Sequence, residues 1–165
     1  MTSKASVLLS VVIIGRNEGE RLSRCLESVR AMVLGDTPYE IIYVDSGSID
    51  SSLRRAKDLG ARVISLEGKH HTAARGRNAG WRVARGEYVL FLDGDTQLDP
   101  DFVRNALPSF ADPTVAVVWG HRRETAVGAS LFNRVLDLDW LYRPGLTEFC
   151  GGDALMRRSA TPHQR

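Results

Sequence analysis

The stretch Tyr88 to Pro100, YVLFLDGDTQLDP, runs large apolar side chains straight into two carboxylates, Asp93 and Asp95, with only Gly94 between them. Carboxylates this close repel and raise one another's pKa, so a site that keeps both ionised generally needs a cation. Oxygen ligands suit Mg2+ or Mn2+, and Gly94 removes the side chain that would obstruct a diphosphate bound to the same ion. The alternative is a solvated turn in which one aspartate caps a helix beginning near Asp99. Position at the end of a buried strand favours the metal reading.

Spacing tests two other uses of such a pair. A calcium loop starting at Asp93 needs glycine at its sixth position and glutamate at its twelfth, where this chain has Leu98 and Arg104. A dehalogenase-type phosphatase places Thr or Val two residues beyond the second aspartate, where Gln97 stands here. A metal-dependent phosphohydrolase or nucleotidyltransferase using the same carboxylates stays open as the alternative.

Asp45 ends a second apolar run, IIYVDSGSID. An acid there accepts hydrogen bonds from a ribose or base in dinucleotide-binding folds. It also forms a self-contained Asx turn with Ser46, Gly47 and Ser48. The turn after the first apolar run reads GRNEGE rather than GxGxxG, which speaks against a nicotinamide or flavin cofactor. From Lys69 to Arg85 the chain carries Arg75, Arg77 and Arg82, two histidines and no acid. Arginines near a helix N-terminus suit phosphate oxygens, while Arg82 and Arg85 fit a solvated face. Gly76 and Gly80 fall inside that predicted helix, where glycine is unfavourable unless something approaches closely. His70 and His71, being adjacent, point in different directions and do not predict a metal site.

These residues need a scaffold that brings them together. Val7 to Gly15 is a continuous apolar run suited to a strand buried on both faces. Leu22, Cys25, Leu26, Val29 and Val33 then recur at helical steps over Glu18 to Val33. Strands follow at Glu40 to Asp45, Ala61 to Leu66, Glu87 to Leu92 and Val115 to Gly120. Helices are predicted at Ile49 to Leu59, closed by Gly60, from a Thr72 cap to Arg85, at Asp99 to Phe110, and at Ser130 to Leu141. The polar tail RRSATPHQR from Arg157 offers no core face. Strand–helix alternation specifies an α/β fold with a mostly parallel central sheet, whose ligands gather beyond the carboxyl ends of the strands. Gly15 to Glu18, Asp45 to Asp50 and Asp93 to Thr96 all fall on that edge.

The bulk composition is consistent with one domain spanning 1–165. Of the 165 residues, 43% are hydrophobic and 25% charged, with a formal charge of +2, too mild to imply nucleic acid or an anionic surface as partner. Cys25 and Cys150 lack metal or disulfide spacing and read as buried thiols. The N-terminal apolar run stops at Arg16, Asn17 and Glu18, short of spanning length, so no transmembrane segment is expected and the domain reads as cytoplasmic.

In order and spacing, SVVIIGRNEGERLSRCLESV, YEIIYVDSGSIDSSL, AARGRNAGWRVARGEYVLFLDGDT and CGGDALMRRS resemble the inverting glycosyltransferases of family 2, from about Ser10 to Ser159. The resemblance implies the nucleotide-sugar-binding half of a Rossmann-like GT-A fold, a hexosyltransferase-type enzyme, a UDP- or GDP-sugar donor, and Mg2+ or Mn2+ bridging donor and DxD. Asn17 and Glu18 match the Asn-Glu that lines the nucleotide pocket; Asp45 matches the acid that holds the base. Arg77 and Asn78 match the Arg-Asn pair beside the nucleotide. Asp93 and Asp95 match the two DxD acids, Asp95 the more direct metal ligand. Gly151, Gly152 and Asp153 match the small-residue turn on the acceptor side, making Asp153 the one candidate catalytic acid. Gly15, Arg16 and Ser46 depart from the usual residues. The family's general base lies downstream of CGGDALMRRS, which implies a chain truncated at its C-terminus, with an incomplete acceptor half, or a non-catalytic donor-binding fragment. The acceptor, a polysaccharide, lipid or small molecule, is not readable; a lipid acceptor would place the domain peripherally at a membrane.

Overall fold

The computed structural model describes residues 8–160, apart from 69, 126, 140–143 and 148 and the side chains of Leu136 and Asp139. Strands β1 (Leu9–Gly15), β2 (Tyr39–Asp45), β3 (Arg62–Ser65) and β4 (Tyr88–Asp93) alternate with helices α1 (Glu20–Arg30), α2 (Ser52–Asp58) and α3 (Ala73–Val83). Helix α4 (Phe102–Ala106) runs on into a 3-10 turn, Leu107–Ala111, and is followed by β5 (Val117–Val118), α5 (Leu131–Asp139) and β6 (Ala154–Arg157).

The sheet order is β3-β2-β1-β4-β6-β5. The first four strands are parallel, and β6 lies antiparallel between β4 and β5. Successive residues of β1 serve opposite faces, as strand geometry requires. Val11 and Ile13 pack with Leu22, Cys25, Leu26 and Val29 of α1. Val12 and Ile14 face the other side, with Ile42, Val44 and Phe91. Both faces are covered, which is why the run reads as continuously apolar.

Helix α3 lies unusually close to β1. A Cβ on Gly80 would sit 2.2 Å from Val12 Cγ1, and one on Gly76 3.1 Å from Ile14 Cγ2. The close neighbour that justifies these glycines is the sheet. Thr72 caps α3 as predicted, its hydroxyl accepting from the Arg75 N–H at 3.2 Å, and Gly60 ends α2 with φ +74°.

Four expectations are corrected. Ile49 is 92% exposed and lies outside α2, because Asp50 accepts from the Ser52 N–H at 2.9 Å and delays the helix to Ser52. The fifth strand shrinks to Val117–Val118, since it pairs only with β6. Ala154 to Arg157 form a strand not predicted from the sequence, its Ala154 and Leu155 buried, and of the expected polar tail only Arg157 joins the sheet. The segment's strand character comes from the vacancy between β4 and β5, a tertiary effect that local pattern does not carry. Cys150 is exposed, whereas Cys25 is buried.

Candidate functional site

The sheet register sets the ends of β1, β2 and β4 side by side, with Gly15 opposite Asp45 and Ile14 opposite Asp93. The loops leaving β1 and β2 are stitched together. The Asn17 N–H donates to Ser48 Oγ at 2.8 Å, and Asn17 Oδ1 accepts from the Ile49 N–H at 2.8 Å. Ser52 Oγ accepts from the Glu18 and Gly19 N–H groups at 3.0 and 3.1 Å. Asn17 itself has φ +57°, a left-handed conformation that asparagine tolerates better than most residues.

Asp45 is fully buried. Its Oδ2 accepts from the Gly47 and Ser48 N–H groups at 3.0 and 2.9 Å, and Oδ1 from the Tyr43 hydroxyl at 3.2 Å. Of the two roles the sequence left open, this geometry is that of the Asx turn. His71 Nε2 lies 3.3 Å from where a Gly47 Cβ would be, so the imidazole covers the same turn.

Glu18 threads between two glycines. A Cβ on Gly15 or Gly94 would come within 2.8 or 2.9 Å of Glu18 Cγ. Gly94 is thus explained by this side chain and the Ile14 carbonyl, 3.2 Å from the same Cβ position, rather than by room for a diphosphate. Burial pushes the Glu18 carboxyl up, Arg21 at 2.9 Å opposes it, and the like charges of Asp95 and Asp50 add to the rise.

At the end of β4 the two aspartates part company. Asp93 Oδ1 accepts from Arg77 Nη2 at 2.7 Å and Oδ2 from Arg122 Nη2 at 3.3 Å. Two guanidinium groups thus supply countercharge to Asp93. Asp95 is exposed and makes no hydrogen bond or ion pair among the described residues. Asn78, next to Arg77 on α3, is also exposed.

Asp153 reaches the same place from β6. Its Oδ1 accepts from the Asp93 N–H at 3.1 Å, and its Oδ2 from the Thr96 hydroxyl at 3.1 Å and Arg122 Nη2 at 2.7 Å. Burial raises its pKa, Arg122 opposes and Asp93 adds. Gly152 leaves the space these groups converge on, since its Cβ would stand 2.7 Å from Arg77 Nη2. Arg122 was missed in the sequence; its signal is the HRRE cluster just past the fifth apolar run, where the carboxyl-edge rule would place a site residue.

Among the described residues no three His, Cys, Asp or Glu side chains gather as a metal cage. An exposed, unengaged Asp95 still fits a hard cation that takes most of its shell from phosphate oxygens and water, as Mg2+ commonly does. Beside the site, a cavity of about 450 Å³ is lined by Trp119, His121, Leu146 and Phe149 among others. Trp119 reaches within 3.8 Å of the Gly151 Cβ position. A second cavity, about 400 Å³, lies where β2 and β3 begin and takes in Arg30, Arg62 and Arg85. There Glu40 neutralises Arg85 at 2.8 Å, and Arg30 ends α1, so helix carbonyls share the positive charge.

Comparison with known proteins identifies the family and the fold. The family model described as Glycosyl transferase family 2 matches residues 10–161. Glycosyltransferase GlyG of Streptococcus pneumoniae is 31% identical over 121 residues, covering 70% of this chain and 39% of that protein. Poly(ribitol-phosphate) beta-N-acetylglucosaminyltransferase TarP of Staphylococcus aureus is 34% identical over 95 residues, 54% of this chain and 29% of that protein. Among solved structures, glucosyl-3-phosphoglycerate synthase from Mycobacterium tuberculosis, in complex with Mn2+, UDP and glucosyl-3-phosphoglycerate, superposes with TM-score 0.66 at 24% identity, covering 94% of this chain and 58% of that one. Mannosyltransferase PcManGT from Pyrobaculum calidifontis, in complex with GDP-Man and Mn2+, gives TM-score 0.67 at 24% identity, covering 92% and 44%. The chain thus spans roughly a third of these curated relatives and half of these solved chains. No described helix is long and apolar enough to cross a membrane. With the family model matching nearly its whole length, the chain belongs to glycosyl transferase family 2.

Proposed function

We propose that this domain binds a nucleotide-diphosphate sugar, UDP- or GDP-linked, and presents it for inverting transfer to an acceptor hydroxyl. The observation that carries the reading is the division of labour at the end of β4, with Asp93 neutralised by Arg77 and Arg122 and Asp95 exposed, without a hydrogen bond or ion pair among the described residues. Asn17, Glu18 and Asp45 shape the nucleotide side through their loop bonds, with Arg77 and Asn78 flanking it on α3. Asp95 would hold Mg2+ or Mn2+, which when bound supplies charge neutralisation for the departing diphosphate. Arg77 and Arg122 add fixed positive charge at the same edge, where leaving-group charge develops.

Asp153 serves this site by orientation. Its two oxygens are taken up by the Asp93 N–H, Thr96 and Arg122, so it is a poor base for an acceptor proton. The cavity lined by Trp119, His121 and Phe149 lies on that side and is the natural approach for the acceptor. A phosphohydrolase would need one aspartate free as nucleophile beside a metal-bound partner, and the double arginine engagement of Asp93 argues against it. The free thiols Cys25 and Cys150 suit a reducing, cytoplasmic setting.

Calorimetric titration of UDP and of GDP, with Mn2+ and then with a chelator, tests the proposal. Binding is expected to need the metal and to weaken tenfold or more, about 1.4 kcal/mol, in Asp95→Ala. Binding unchanged by chelation and by that substitution would remove Asp95 from any metal role.

A further inference from the structure

The four groups at the end of β4 form a charge-balanced chain, Arg77–Asp93–Arg122–Asp153, in which Arg122 is the shared member. Its Nη2 lies 2.7 Å from Asp153 Oδ2 and 3.3 Å from Asp93 Oδ2. The elements it joins are distant in sequence. Asp93 ends β4, Arg122 follows the two-residue β5, and Asp153 precedes β6. The backbone pairing between β4 and β6 stops at Phe91 opposite Ala154. Beyond that point, the described contacts tying the Gly151–Asp153 turn to the donor edge are the Asp153 bonds to the Asp93 N–H, to Thr96 and to Arg122.

We infer that Arg122 is a positioning residue of the donor site: by bridging Asp153 and Asp93 it clamps the acceptor-side turn onto the end of β4 and keeps Asp93 facing Arg77, leaving Asp95 as the carboxylate open to a cation. This rests on the donor-site reading above, and it assigns a role to a residue in the segment just past the two-residue β5. Removing the guanidinium leaves two carboxylates, Asp93 and Asp153, facing each other with Arg77 as their sole described partner cation. Asp93 then swings toward Asp95, and the two compete for the same ion.

The test uses the chain as it stands with three variants. Arg122→Gln removes the charge, Arg122→Lys restores it without the fork, and Arg123→Gln breaks the neighbouring Arg123–Asp137 pair as a control. Amide hydrogen exchange at Asp93, whose N–H is bonded to Asp153, is the readout independent of any nucleotide. It is expected to accelerate roughly tenfold in Arg122→Gln and to stay unchanged in Arg123→Gln. Equal exchange in Arg122→Gln and the parent chain would overturn the clamp. The second readout is UDP affinity with and without Mn2+. The Mn2+-dependent gain in affinity is expected to shrink in Arg122→Gln and to recover in part in Arg122→Lys, while metal-free affinity holds. A uniform loss with and without metal would reduce Arg122 to a general structural contact and refute the positioning role. If the parent chain binds neither UDP nor GDP with Mn2+, the donor reading fails, and the exchange experiment still decides the clamp.

Discussion

The two halves of the sheet hold their site residues by different means. At the ends of β1 and β2, the site residues at the carboxyl edge are fixed through backbone N–H groups. Asn17 is pinned by Ser48 and Ile49, Glu18 by Ser52, and Asp45 by its own turn. Around β5 and β6, side chains do the fixing, through Arg122, Asp153 and Thr96. The first half is covered on both faces by apolar packing. The region beyond β5 exposes Leu131, Phe132, Val135 and Leu138 along α5. A platform built this way is stiff, whereas the region around β5 and β6 depends on a few charges and is open to adjustment.

The sharpest way to break this contrast is in the stiff half. Gly80→Ala places a methyl 2.2 Å from Val12 Cγ1, and overpacking of a closed helix–sheet contact is expected to cost about 3 kcal/mol by urea denaturation. A loss under 1 kcal/mol would mean that α3 can ride away from β1 and that the platform is not stiff.

Next in size is Glu40, only 11% exposed, which accepts from Ser10 and the Arg85 backbone and guanidinium. Burial opposes ionisation, but these bonds outweigh it and hold the folded pKa below the ordinary glutamate value. A depressed folded pKa stabilises the fold above the unfolded pKa, and the contribution fades as pH falls through the folded value. Glu40→Gln should therefore cost about 2 kcal/mol at neutral pH, with the difference shrinking as pH falls below the ordinary glutamate range and through the lower folded value. A gap that persists into acid would show that shape, not charge, carries this contact.

The smallest expected effect compares the halves directly. Burial first, then the charges of Asp153, Asp95 and Asp93, push the Cys25 thiol up to about 12, so it stays protonated and inert. Cys150 is exposed. Thiol labelling of the native chain at neutral pH should modify Cys150 and spare Cys25 until the fold opens. Comparable rates at both would place the opening in the wrong half.

How much of this was legible in the sequence follows the same division. The apolar runs of β1, β2 and β4 and the helical spacing of α1 were plain, because burial on two faces leaves a compositional trace. The carboxyl-edge rule then gathered Asn17, Glu18, Asp45 and Asp93 correctly on one side. Strand β6 left no such trace, since four residues inserted between β4 and β5 owe their form to the neighbours they fill between. Arg122 and Gly152 matter only through that insertion. Gly94 was legible as a close-approach site, but which group approaches it, Glu18, is a three-dimensional fact.

The placement of β6 has one more consequence, in the order of assembly. The amide of Asp93 finds its partner, Asp153, 60 residues further along the chain. Closing a loop of that length carries an entropic cost, as does the still longer separation between the paired strands β1 and β4. On a growing chain the residues of β1 to β4 are all present before Asp153 is, so the Rossmann-like platform precedes the contact that ties the end of β4 to the turn before β6.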